Sequence, residues 1–210
     1  MIIGSDTLAS WERFYRANFI NSLSGFKSVS LIGTINNQGQ PNLGVFSNVV
    51  HLGADPALIG YINRPLEAAP HTLANIKATG IYTINHIQES FVAQAHQCSA
   101  KYPPDINEFE ATGLHAEFIE DIAVPFVKES NTKYALSLQE IIPIALNNTY
   151  LVIGKVELVV IDETTLQEDG FLDLDKAGSL CSSGLDSYHT THSIARFRYA
   201  KPGVAPQKLR

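Results

Sequence analysis

Three strand-like runs, residues 126–129, 134–144 and 150–161, follow one another with almost no helix between them. Parallel neighbours need a crossover of a dozen residues or more, usually a helix, whereas antiparallel neighbours need only a turn. These runs therefore call for antiparallel pairing. The same pattern occurs earlier. Residues 27–35 read as a strand, Asn36-Asn37-Gln38-Gly39-Gln40 as a turn, and 41–51 as a single returning strand, because Gly and Asn accept the positive φ of tight turns. Residues 57–62 and 81–86 add two more strands. Strands in this arrangement curl into a barrel, so the expected class is mainly β with peripheral helices.

The helices sit around these strands. Ser5-Asp6-Thr7 caps a helix whose Leu8, Trp11, Tyr15 and Phe19 recur at three- and four-residue spacing, and Ser24-Gly25 ends it. Helices are also predicted over 71–79, stopping at Gly80, over 89–97, and over 107–112, stopping at Gly113, with 101–104 as a loop. The tail from Asp169, with Gly178, Gly184 and Gly203 among polar residues, is expected to wrap the surface or a neighbouring subunit. Residues 1–210 read as one domain with an N-terminal helix and a C-terminal extension.

Charge narrows the partners. Fifteen basic against twenty-one acidic side chains leave −6, which argues against a binder of the phosphate backbone of nucleic acid. The N-terminus lacks a basic start and apolar run, and no apolar stretch is long enough to span a bilayer, so no membrane partner is expected and the location reads as cytoplasmic. Cys98 and Cys181 read as free thiols of a reducing compartment. His96-Gln97-Cys98 and His189-Thr190-Thr191-His192 have no further ligand at the spacing of a closed zinc site, so no metal is expected. GxGxxG, GxxxxGK[ST] and GxSxG are all absent, which leaves a Rossmann turn, a P-loop and a nucleophile elbow unsupported.

Polar residues at strand ends and one helix start stand out instead. Ser47 and Asn48 interrupt an apolar strand, Asn63-Arg64 end the next, Thr72 and Asn75 open a helix, and Asn85 ends a strand. Each has a local explanation: a bulge or satisfied pair for Ser47-Asn48, a helix cap for Thr72, a turn for Asn85. Taken together, they fit a flat heteroaromatic ligand with a phosphate tail, the helix N-terminus beside Arg64 making a phosphate corner. Spacing alone does not name that ligand.

The order of Ser28 to Thr34 "SVSLIGT", Asn42-Leu43-Gly44, Phe46-Ser47-Asn48, Asp55-Pro56, Asn63-Arg64-Pro65, "HTLANI" from His71, "TGIYTIN" from Thr79 and Ile153-Gly154-Lys155-Val156 resembles the flavin reductase-like family with the FMN-binding split barrel, including flavoredoxin-type proteins. The resemblance spans about 26–161. It implies a six-stranded antiparallel split barrel that forms a homodimer and holds FMN non-covalently near the subunit interface. Carried over by position, Ser47, Asn48 and Val49 face the isoalloxazine through backbone groups. Arg64, Thr72 and Asn75 hold the phosphate, Lys101 assists, and Asn85 lies where its strand approaches the cofactor. Tyr188 and His189 either close over the ring face or form a surface loop. Asn48 stands where many members carry an aromatic residue, and His86 where an apolar one is usual. The implied activity takes hydride from NAD(P)H and passes electrons to a flavin, a metal complex or a protein acceptor, with no catalytic side chain required. The alternatives are a non-catalytic FMN-binding electron carrier and a pyridoxamine-phosphate-oxidase-like enzyme.

Overall fold

The computed structural model describes residues 1–68, 70–103 and 105–209; Pro104 of the expected loop lies outside them. Two helices, α1 (Ser5–Ser10) and α2 (Arg13–Leu23), precede β1 (Lys27–Ser28) and β2 (Ser30–Ile35). The strands β3 (Pro41–Phe46), β4 (Val49–Ala54) and β5 (Ala57–Asn63) lead into α3 (Pro70–Thr79) and β6 (Ile81–His86). Next come α4 (Val92–Gln97), α5 (Glu108–Thr112), β7 (Ala116–Glu117) and β8 (Phe126–Val127). Long strands β9 (Thr132–Ile144) and β10 (Thr149–Ile161) follow, and the tail holds β11 (Cys181–Ser183) and β12 (Ser187–His189).

The main sheet has seven strands in the order β3-β2-β6-β9-β10-β5-β4. Every neighbouring pair is antiparallel. Its outermost strands, β3 and β4, are joined only by Ser47 and Asn48. A chain that passes from one edge of such a sheet to the other in two residues brings the edges together. The sheet therefore closes into a barrel, split along that seam. At the seam, Ser28 Oγ donates to the Val49 carbonyl at 3.0 Å. The mainly β class and the split barrel are as expected, with seven main-sheet strands rather than six. The expected strand over 41–51 is in fact two, because the seam falls at its polar pair.

Side chains on a strand alternate between faces, and here both faces of β2 are covered. Ile32 points into the barrel with Tyr61, Tyr82, Ile84 and Leu136, while Leu31 packs outside with Leu43, Phe91, Phe109 and Val127. Full burial of such a side chain contributes roughly 1.5–3 kcal/mol. One other expectation is corrected. The N-terminal helix breaks at Trp11, whose backbone is extended, and the Glu12 carboxylate accepts the N–H groups of Phe14 and Tyr15 to start α2. The Trp11 ring meets Tyr15 and Phe19 edge-on at 4.9 and 5.0 Å, so the apolar spacing serves an aromatic cluster across a kink. The tail, expected to wrap the surface or a neighbouring subunit, carries the β11–β12 hairpin, which pairs with β1.

Candidate functional site

A cleft of about 300 Å³ opens beside the seam, at the lower end of the range for ligand pockets. Its floor is β3 from Asn42 to Phe46, together with Val29. The walls are Ser47-Asn48, the β5–α3 connection with Arg64 and Thr72, the segment after α4 with Lys101 and Tyr102, Glu108 of α5, and Ser182, Leu185 and Tyr188 of the tail. Of the residues singled out in the sequence, Ser47, Asn48, Arg64, Thr72 and Lys101 share this cleft. Val49, Asn75 and Asn85 do not line it.

Local physics explains where those three went. Val49 packs against the barrel interior. Asn75 turns inward on α3 and donates to Thr34 Oγ1 at 3.1 Å. Asn85 is fully buried: Nδ2 donates to the Leu31 carbonyl and to Thr83 Oγ1, and Oδ1 accepts the Val127 N–H. Its carboxamide ties β2, β6 and β8 together, with nothing left for a ligand.

Asn48 lines the cleft but has a second task. Its Nδ2 donates to the Ile62 carbonyl at 2.9 Å and its Oδ1 accepts the Ile62 N–H at 3.2 Å. The side chain thereby imitates one rung of a sheet ladder where the backbone leaves β3 for β4. An aromatic residue could not do this. Asn48→Ala is expected to lower stability by about 1–3 kcal/mol, the cost of leaving backbone partners unpaired; a thermal midpoint equal to wild type would remove the carboxamide from the seam.

Thr72 is the third residue of α3, so it does not cap the helix from outside; the capping position, residue 69, lies outside the described residues. The Thr72 hydroxyl instead accepts from Asn42 Nδ2 at 3.4 Å. Lys27, whose ammonium donates to the Asn21 and Gly184 carbonyls, has its pKa lowered first by burial and then by the Arg64 guanidinium.

Glu108 was not singled out in the sequence. Its Oε2 accepts the Leu43 N–H at 3.1 Å, and burial raises its pKa above the usual carboxylate range. Residue 108 sits inside a short helix, and no local signal ties it to a strand 65 positions away. Ser182 was missed for the same reason.

The flavin reductase like domain matches residues 26–177, most of the chain. This chain belongs to the flavin reductase-like family. Among solved structures, this family member is 48% identical to a split-barrel domain protein of Shewanella frigidimarina NCIMB 400 that bears a provisional flavin reductase name, with a TM-score of 0.92 over 95% of this chain and 100% of that one. It is 20% identical to nitrilotriacetate monooxygenase component B of Bacillus cereus, with a TM-score of 0.81 over 92% of this chain and 96% of that one. It is 18% identical to an FMN-binding protein of Thermus thermophilus, with a TM-score of 0.64 over 78% of this chain and 85% of that one. The last two likenesses show the fold alone. The matched family domain ends before β11, so the tail wall of the cleft lies beyond it.

Proposed function

We propose that the cleft holds FMN non-covalently and that the protein is an oxidoreductase of flavin reductase type, taking hydride from NAD(P)H and passing electrons to a flavin, a metal complex or a protein acceptor. The observation that carries this reading is the convergence of Ser47, Asn48, Arg64, Thr72 and Lys101 on one cleft. The donor set suits the molecule. Arg64, Lys101, the Thr72 hydroxyl and the first turn of α3, whose N–H groups lack partners within the helix, would hold the phosphate. Backbone groups at Ser47-Asn48 would meet the ring. Ser182 Oγ, on a residue 4% exposed that lines the cleft, has no hydrogen-bond partner among the described residues, as a group awaiting a ligand would.

Bound FMN supplies the hydride and electron chemistry. The chain's own part is to bind and orient, and it needs no acid or base side chain for this. The name of the Thermus protein, FMN-binding, supports the choice of cofactor. The reading includes a homodimer: α1 and α2 bury no residue, and Phe14, Tyr15 and Leu23 stand exposed for a second copy, which equilibrium sedimentation checks. It also includes the cytoplasm, where Cys98 and Cys181 stay free, and no helix among the described residues is long and apolar enough to cross a membrane.

The purified protein is expected to be yellow, or to become so on FMN titration with a perturbed visible spectrum. A colourless protein whose addition leaves the FMN spectrum unchanged refutes the reading. Anaerobic mixing with NADH or NADPH then tests turnover: rapid bleaching marks the reductase, and an unbleached flavin marks the carrier. Thr72→Ala is expected to weaken FMN by about 1–2 kcal/mol, a hydrogen bond to a charged group. Unchanged affinity with a lowered thermal midpoint would assign the hydroxyl to Asn42 alone.

A further inference from the structure

The tail hairpin lies beyond the matched family domain yet builds one wall of the cleft. β11 pairs with β1 through Lys27 and Ser182, and with β12 through Ser182 and Tyr188. Directly opposed residues on antiparallel strands project to the same face. Ser182 and Tyr188 therefore point the same way, and both line the cleft.

This wall is built into the fold. Lys27 Nζ donates to the Gly184 carbonyl in the hairpin turn at 2.9 Å. His189 Nε2 shares hydrogen bonds with the Ser183 and Ser187 hydroxyls at 2.9 and 3.0 Å, and its ring meets Phe26 edge-on at 4.9 Å. On the cleft side, the Tyr188 hydroxyl shares a 2.9 Å hydrogen bond with Nδ1 of the exposed His96, whose ring stands edge-on to it at 5.7 Å. The Tyr188 ring also packs against the outer core beside Val45 and Val92. The Ser182 Oγ on this wall is buried without a hydrogen-bond partner among the described residues, and its residue lines the cleft.

Resting on the FMN reading above, we propose that Ser182 and Tyr188 are ligand-binding residues contributed by the tail, and that His96 is a positioning residue for Tyr188. Ser182 Oγ hydrogen-bonds the polar edge of the planar, phosphorylated heteroaromatic ligand. Tyr188 supplies an aromatic wall for it, held in place through its hydroxyl. His189, grouped with Tyr188 in the sequence, serves the hairpin itself instead.

The test uses the full chain, stripped of flavin and titrated with FMN by fluorescence quenching and visible difference spectra. Ser182→Ala is expected to weaken FMN roughly three- to tenfold, the value of one hydrogen bond, without lowering the thermal midpoint of the flavin-free protein. Tyr188→Leu is expected to weaken FMN further and shift its visible band. Tyr188→Phe and His96→Ala break the same hydrogen bond from opposite ends, so each is expected to give the same smaller spectral change, and the double variant no more than either. Because His96 is exposed and Tyr188→Phe keeps the ring, those two remain informative if Tyr188→Leu does not fold. Wild-type protein that binds FMN, and loses it in Arg64→Ala, while Ser182→Ala, Tyr188→Phe and His96→Ala leave affinity and spectrum unchanged, overturns the proposal and spares the cofactor reading. Wild-type protein that binds no FMN overturns both.

Discussion

Gly33→Ala is expected to lower the thermal midpoint by roughly 10 °C or more, the largest stability loss from any single methyl group added along β2. A Cβ at this position would stand 2.4 Å from the Pro125 carbonyl oxygen and 2.6 Å from Thr83 Oγ1. Neither neighbour is free to withdraw. Thr83 Oγ1 donates to that same carbonyl at 2.7 Å, and Asn85 grips the following turn of chain by accepting the Val127 N–H at 2.9 Å. Relief of the clash would therefore break buried hydrogen bonds. Overpacking costs about 1–3 kcal/mol and an unpaired buried group about 1–3 more, so the sum is about 4 kcal/mol. The backbone of Gly33 is ordinary strand, so an alanine would carry no conformational penalty and the whole effect is steric. Gly4→Ala, with nothing within 4 Å of the added carbon, is the matching control and is expected to be silent. A Gly33→Ala midpoint within a degree or two of wild type would mean that the segment before β8 is loosely held.

Arg64→Ala is expected to have the largest effect on the ligand, weakening FMN by about 3 kcal/mol, or roughly 100-fold or more. A guanidinium that meets a phosphate with two parallel N–H groups is worth about twice a neutral hydrogen bond. Arg64 is exposed at the cleft, so the flavin-free protein is expected to melt as wild type does. Arg64→Lys keeps the charge without the planar fork and is expected to fall between the two. Raising the salt concentration should narrow the gap between wild type and Arg64→Ala, because screening acts on the charge and not on the ring contacts. If Arg64→Ala titrates with FMN as wild type does, the phosphate lies elsewhere and the orientation of the ligand must be reassigned.

The two carboxamides that lie off the cleft are instructive. Asn75 and Asn85 carry the same side chain as Asn48, with Asn75 in the middle of α3 and Asn85 one residue short of the end of β6. Their partners, Thr34 and the Val127 N–H, stand 41 and 42 positions away. Nothing adjacent in sequence distinguishes an amide that faces a ligand from one that crosses a core. By contrast, the Asn36–Gln40 turn was readable because its bonds are local: the Gln38 and Gln40 N–H groups both donate to Asn36 Oδ1 at 2.9 Å. The stop at Gly80 was readable likewise, since its φ of +74° suits glycine and its N–H donates to the Ile76 carbonyl just behind it.

What the residues determined alone is what depends on neighbours within a few positions: strand periods, tight turns, helix ends and the antiparallel habit that makes a barrel. Where one apolar run had to break was set by the closing of the sheet, because Asn48 replaces a ladder rung only once β5 lies beside it. Which polar groups face the cleft was decided in the same way, since Glu108 and Ser182 reach it only after α5 and the tail hairpin have packed against β3 and β1. Pairings across such distances carry no local mark; they exist only when the folded chain has already covered the entropy of bringing their ends together.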